Sequence, residues 1–180
     1  MNWSRIARRI RVPLGFAFAA LYLWLAQPTG KSILAGGGIA LCGVLLRAIA
    51  SGYISKDSEL TTSGPYAYTR NPLYLGSLVL AVGFAVAARS WWVLLVMVVL
   101  FTAIYLPVIR SEEAFLRARF PEFNAYSRRV PRLLPRLRKA QATPGSFSRA
   151  RYLRHREYNA LLGTAAMIAA LAAKLRWLGR

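Results

Sequence analysis

Long charge-free apolar stretches alternate with short basic ones along this chain. Residues 12–30 run for 19 positions without a charge, 32–46 for 15, 71–88 apart from the terminating Arg89 for 18, 90–109 for 20 and 158–173 for 16. A helix needs about 20 mostly apolar residues to cross a hydrocarbon core about 30 Å thick, with about 17 as the usual lower bound. The fourth stretch meets that length outright, and the first and third come close to it. The second reaches it only if Arg47 snorkels toward the interface and residues 48–52 continue the helix. The fifth is alanine-rich and is left with three placements: spanning, lying in the interface, or packing inside the bundle. The pattern predicts an all-α, polytopic membrane protein of about five transmembrane helices.

Helix breakers fall where the charge pattern puts loops. Gln27-Pro28-Thr29-Gly30 closes the first span, and only Arg89-Ser90 separates the third from the fourth, which predicts an antiparallel helical hairpin. Gly36-Gly37-Gly38 lies near the outer end of the second span. Each glycine costs about 1 kcal/mol relative to alanine in a water-exposed helix, whereas in a bilayer small residues let helices approach closely. A packing role is expected for them, since neither glycine-rich phosphate-loop spacing occurs. Pro107 sits near the end of the fourth span and is expected to bend it. Beyond it, residues 111–120 read as helix and 130–135 as irregular. Residues 140–156 read as a basic linker and 157–178 as a final helix, all within one domain over 1–180.

Composition narrows the class. Twenty-five Lys and Arg against six Asp and Glu give a net charge of +19, yet 56% of the chain is hydrophobic and mean hydropathy is +0.36. A disordered basic tail lacks such apolar content. One cysteine, Cys42, rules out a disulfide scaffold and is expected to pack within the second span. One histidine and one cysteine offer too few soft ligands for a metal site, and His155 reads as interfacial. With five spans, segments 1–11, 51–71 and 110–156 share one face and carry 19 basic residues against 5 on the other. Basic residues near span ends favour the cytoplasm, so those segments are expected in the cytosol, most naturally at a bacterial inner membrane. The basic tail is expected to face anionic lipid head groups, each residue contributing about 1 kcal/mol. No aromatic-interleaved RNA motif accompanies it, so no nucleic-acid partner is expected. A signal-peptide reading of the N-terminus lacks a cleavage site and is followed by further apolar runs.

Two constellations carry candidate chemistry. Leu60-Thr61-Thr62-Ser63-Gly64-Pro65-Tyr66-Ala67-Tyr68-Thr69-Arg70-Asn71-Pro72-Leu73-Tyr74-Leu75-Gly76 joins the second and third spans with two proline turns. Arg110-Ser111-Glu112-Glu113 leaves the fourth, and holds two of the six acids in the chain. An aromatic belt and a dipole-favoured first turn would account for them without a ligand. Their placement on one membrane face would instead assemble aromatics, an arginine and two carboxylates at one depth.

Residues 66–76 resemble the Arg-His-Pro-x-Tyr-x-Gly segment of isoprenylcysteine carboxyl methyltransferases and phospholipid methyltransferases. Glu112-Glu113, followed by Leu116, Phe120, Tyr126, Val130-Pro131-Arg132 and Pro135, resembles the acidic pair and tail of the same family, and the likeness covers about residues 58–135. Asn71 stands where the family usually has His, and Pro121 where it has Gly; Asn still donates and accepts but does not ionise.

The resemblance implies an integral membrane enzyme with a cytosolic cofactor-binding cap, which methylates a hydrophobic or lipid-like substrate with S-adenosylmethionine. It implies that Leu60, Thr61, Tyr66, Arg70, Asn71, Pro72, Leu73, Tyr74, Glu112 and Glu113 hold the cofactor and that Arg110 is catalytic on the substrate side. Carboxylates suit its ammonium, a forked arginine its carboxylate and a tyrosine face its sulfonium. Two alternatives stand beside this reading. One is an NADPH-dependent membrane reductase of related fold, and the other a non-enzymatic protein whose basic tail binds lipid or a partner.

Overall fold

The structure is a computed structural model that describes residues 15–55, 59–138, 140 and 144–177. Among the described residues the protein is all-α. Helix α1 (Gly15–Leu25) is followed by α2 (Gly30–Tyr53), a 3-10 turn (Gly64–Ala67), α3 (Pro72–Ala88) and α4 (Trp91–Leu100). A π-helical turn (Phe101–Tyr105) then leads into α5 (Leu106–Arg119), and α6 (Phe123–Arg129), α7 (Arg149–Arg154) and α8 (Tyr158–Trp177) complete the order. The first part of the first expected span, and the basic segment 1–11 before it, lie outside the described residues.

Among the described residues three helices are long and apolar enough to cross a membrane: α2, the continuous rod Trp91–Arg119, and α8. The protein is therefore a helical membrane protein. Helix α3 is shorter because both ends are fixed locally. Pro72 occupies its first turn, and Arg89 closes it in the left-handed conformation at φ 50°. At 1.5 Å per residue its 17 residues rise about 25 Å. Ser90 then accepts from the Val93 amide to start α4, and this tight link gives the hairpin its antiparallel form. Helix α2 opens on a reciprocal capping box between Thr29 and Ser32 and continues through Arg47 to Tyr53.

Proline explains the π-helical turn. Pro107 has no N–H for the ordinary ladder and its ring crowds the carbonyl four residues back. The helix widens just before it, with the Leu106 amide donating to the Phe101 carbonyl five residues earlier. The bend expected at Pro107 thus takes the form of a π-helical widening.

Helices α2 and α3 form the centre of the bundle, through small residues. A Cβ on Gly43 would lie 2.6 Å from the Gly76 carbonyl oxygen, and one on Gly83 would lie 2.6 Å from that of Gly36. Gly36 and Gly43 thus meet Gly83 and Gly76 in antiparallel register, backbone against backbone, as the packing role expected of Gly36 requires. With that face of α2 given to small residues, Cys42 points away and is exposed, not packed as the sequence suggested.

One end of the bundle is closed by α1 and α8. Tyr22 Oη donates to the Phe84 carbonyl at 2.9 Å, and the Gln27 amide to that of Ala88 at 2.8 Å. Lys174 Nζ donates to the carbonyls of Leu23, Trp24 and Ala26 at 2.5, 3.1 and 2.7 Å, which satisfies the end of α1. Trp24, Trp91, Trp92 and Trp177 are all exposed there, the placement that amphipathic rings adopt at a membrane–water interface.

Candidate functional site

The polar chemistry collects at the opposite end, where the loop after α2 meets the tail after α5. Tyr126 Oη donates to the Tyr66 carbonyl at 2.7 Å. The amides of Arg70, Arg136 and Ala140 donate to the carbonyls of Pro131, Tyr68 and Ala67 at 2.9, 3.0 and 3.1 Å. Thr69 Oγ1 donates to the Leu133 carbonyl at 2.9 Å. The irregular segment after α6 therefore runs alongside the 3-10 turn and satisfies its backbone. Phe123, Tyr126, Val130 and Ala140 bury beneath it, with Leu60 packed against them.

Glu113 is the centre of this junction and is buried. Its Oε1 accepts from Arg70 Nε at 3.1 Å and Asn71 Nδ2 at 3.2 Å, and its Oε2 from Arg132 Nε at 2.9 Å. Arg70 also donates from Nη1 to the Ser127 carbonyl at 2.6 Å. Asn71 Nδ2 donates in addition to the Arg132 carbonyl at 2.9 Å. The asparagine thus supplies two donors where the resemblance has a histidine, and it does so without a charge.

Glu112, one position along α5, is exposed. A residue step turns a helix about 100°, so adjacent glutamates face different surroundings. Tyr66, in the 3-10 turn, has its ring buried and its Oη without a hydrogen-bond partner. Burial pushes that hydroxyl far above the usual tyrosine range. Tyr126, Glu112, Glu157 and Tyr74 reinforce the shift in that order, so the group stays a neutral donor. Burial also raises Tyr126, against the opposing pull of Arg70.

The other expected site residues take separate places around this junction. Pro72 is buried in the first turn of α3. The Leu73 carbonyl accepts from Arg47 and Ser77. Tyr74 meets Tyr105 edge-on at 5.8 Å beside Ile104 and Val108. Thr61 Oγ1 accepts from the Ser55 amide at 3.0 Å. Arg110 is exposed on α5. The structure thus joins Arg70, Asn71 and Glu113 directly, while Tyr66, Tyr74 and Glu112 stand apart from that contact and Leu60 and Thr61 stay with the loop.

Sequence reading missed one pair. Arg47, expected to snorkel, donates from Nε and Nη2 to Glu157 at 3.0 and 2.9 Å and from Nη1 to Ser77 and the Leu73 carbonyl. A lone arginine within a span and a lone glutamate at the start of the last helix were the available signal.

Residues 39–122 match the family described as phospholipid methyltransferase. Together with the fold, this describes a helical membrane protein with a segment similar to a methyltransferase family. The matched segment holds Asn71 and both glutamates of α5 and leaves Arg132 and Glu157 outside it. Among relatives, the cobalt-zinc-cadmium resistance protein CzcN of Cupriavidus metallidurans is 41% identical over 104 residues, covering 57% of this chain and 47% of that protein. The nickel-cobalt-cadmium resistance protein NccN of Alcaligenes xylosoxydans xylosoxydans is 42% identical over 87 residues, 47% of this chain and 41% of that protein. The chain therefore spans less than half the length of these curated relatives. No solved structure matches it.

Proposed function

We propose that the protein is an S-adenosylmethionine-dependent methyltransferase acting on a hydrophobic or lipid-like substrate at the membrane. The observation that carries this reading is the direct contact between the two halves of the family segment, Asn71 and Arg70 on one side and Glu113 on the other. The surroundings fit such a donor. Glu112 is an open carboxylate, Tyr66 Oη is a buried donor without a partner, and Tyr74 and Tyr105 offer aromatic surface. Glu112 would accept from the ammonium, Tyr66 would donate to a carboxylate or ribose oxygen, and Tyr74 would favour the cation by about 0.5–2 kcal/mol. Arg110 would stand on the substrate side.

When bound, the cofactor supplies an activated methyl group whose departure as a neutral thioether needs no acid. The chain's own task is to hold acceptor and donor in line, which contributes about 7–11 kcal/mol, and to exclude water. The exposed apolar faces of α2 and α4 give an amphiphile a lateral approach, and the polar end gives the cofactor an aqueous one. By the charge distribution that end faces the cytosol of a bacterial inner membrane, with the arginines of α5–α7 against anionic head groups.

Isothermal titration of the full chain in detergent, with S-adenosylmethionine and separately with NADPH, tests this reading. Binding of the former supports it; binding of NADPH alone would make the protein a reductase, and binding of neither would leave a non-enzymatic role. Glu112→Gln should weaken S-adenosylmethionine binding by about 1.5–3 kcal/mol, as a charged hydrogen bond is lost, with little change in thermal stability. Tyr66→Phe should behave differently. Deleting a buried unsatisfied hydroxyl should leave stability unchanged or raise it by about 1 kcal/mol, while affinity drops. A Tyr66→Phe protein that unfolds earlier would show that the hydroxyl already has a partner within the chain.

A further inference from the structure

An ionisable side chain within a membrane span is unfavourable unless it is paired, and such residues mark working parts of membrane proteins. Arg47, inside α2, is such a residue. Its side chain is 24% exposed and that of its partner Glu157 13%, so water supports neither charge well. Nε and Nη2 donate to the two oxygens of Glu157 at 3.0 and 2.9 Å, and this fork takes up the carboxylate.

The remaining edge of the guanidinium points to α3. Nη1 donates to the Leu73 carbonyl at 3.3 Å and to Ser77 Oγ, while Ser77 Oγ donates to the same carbonyl at 3.0 Å. The stem of Arg47 crosses α3 at Gly76, where a Cβ would lie 2.6 Å from its Cγ. Arg47 thus lies along the first turns of α3, against Leu73, Gly76 and Ser77. Tyr74 leaves the same turn about 160° around the helix from Gly76. Its ring meets Tyr105 edge-on at 5.8 Å, and Tyr105 stacks on Phe101 at 5.2 Å. One side of the turn is held by Arg47, and the other carries an aromatic wall.

Glu157 is itself fixed in place. Arg151 Nη1 donates to Ser55 at 2.8 Å, His155 Nδ1 lies 3.2 Å from the Ser51 carbonyl and the Ser148 amide donates to the Gly52 carbonyl at 2.9 Å. The fork of Arg47 is therefore set from a segment docked on the end of α2, beyond the matched residues 39–122. A lysine would not reproduce it. An ammonium is a single point of charge, whereas a guanidinium serves a carboxylate from one edge and a carbonyl from another.

We infer that Arg47 is a positioning residue: set by Glu157, it fixes the first turn of α3 so that Tyr74 stands where it receives the positive charge of the methyl donor. This rests on the methyltransferase reading above and deepens it, because the C-terminal segment then acts on the site through Arg47 and Tyr74.

A double-mutant cycle on S-adenosylmethionine affinity, by isothermal titration of the full chain in detergent, tests the assignment. Tyr74→Leu keeps apolar bulk and removes the aromatic face, and should weaken affinity about fivefold. Arg47→Lys keeps a charge for Glu157 and gives up the Leu73 carbonyl and Ser77, and should also weaken affinity about fivefold. In the Tyr74→Leu background the same lysine change should lower affinity by less than about twofold, since no ring is left to position. A merely structural arginine predicts equal fold-losses in both backgrounds, in step with a lowered melting temperature, and that result overturns the inference. If Arg47→Lys does not fold, Ser77→Ala replaces it in the cycle, with about threefold expected in the wild type and no loss without Tyr74. Unchanged affinity in Tyr74→Leu, or in the folded variant that completes the cycle, overturns the inference and leaves the methyltransferase reading standing. Absence of binding by the wild type overturns both.

Discussion

Glu113→Gln should lower the stability of the folded protein by about 3–5 kcal/mol, read as an earlier thermal or denaturant transition in detergent. The side chain is 5% exposed and the Arg70 side chain paired with it 12%. Removing one member of such a pair leaves the other charge buried without a counter-ion, which is where penalties of this size arise. Arg132, whose side chain is 47% exposed, recovers its hydration and adds little. The effect should fall on folding before it falls on ligands, because Glu113 joins α5, the start of α3 and the segment after α6. A variant with unchanged stability would show that the junction does not depend on this carboxylate.

Gly83→Leu should prevent the α2–α3 pair from closing at all. The added Cβ alone would sit 2.5 Å from the Ala40 nitrogen and 2.6 Å from the Gly36 carbonyl oxygen. Both are backbone atoms of the facing helix, so no rotamer change relieves the clash. Ordinary overpacking costs about 1–3 kcal/mol, and separating two helices that touch along their backbones exceeds that range. The expected result is loss of a monodisperse peak on size exclusion together with loss of a cooperative transition. Gly37→Leu is the control, since a Cβ there meets only the end of Ile168 at 3.7 Å, and it should remain folded.

Much of this fold was legible in the charge-free runs, because a bilayer imposes length and polarity together. Apolar helices occupy each of the five runs, but among the described residues only α2, Trp91–Arg119 and α8 reach spanning length. Hydropathy cannot weigh a proline start against a left-handed stop, and these fix α3 between Pro72 and Arg89. The packing of Gly36 was readable because a glycine cluster in an apolar helix has few other uses. The placement of Cys42 was not, since hydrophobicity says nothing about which face of a lipid-bathed helix meets protein.

The site was legible at the level of segments. Charge counting put residues 60–76 and 110–113 at one end, and Asn71 and Glu113 do meet there. The different surroundings of Glu112, exposed, and Glu113, buried, were not legible, because neighbours in sequence face different sides of a helix. Glu157 was further out of reach, since its link to Arg47 spans 110 residues.

The Lys174 ammonium has a consequence for biogenesis. The carbonyls it serves belong to α1, the earliest helix described, whereas Lys174 emerges from the ribosome some 150 residues later. Until then those oxygens must be hydrated or served by a temporary partner. The end of α1 can therefore be capped in this way only once Lys174 has been made.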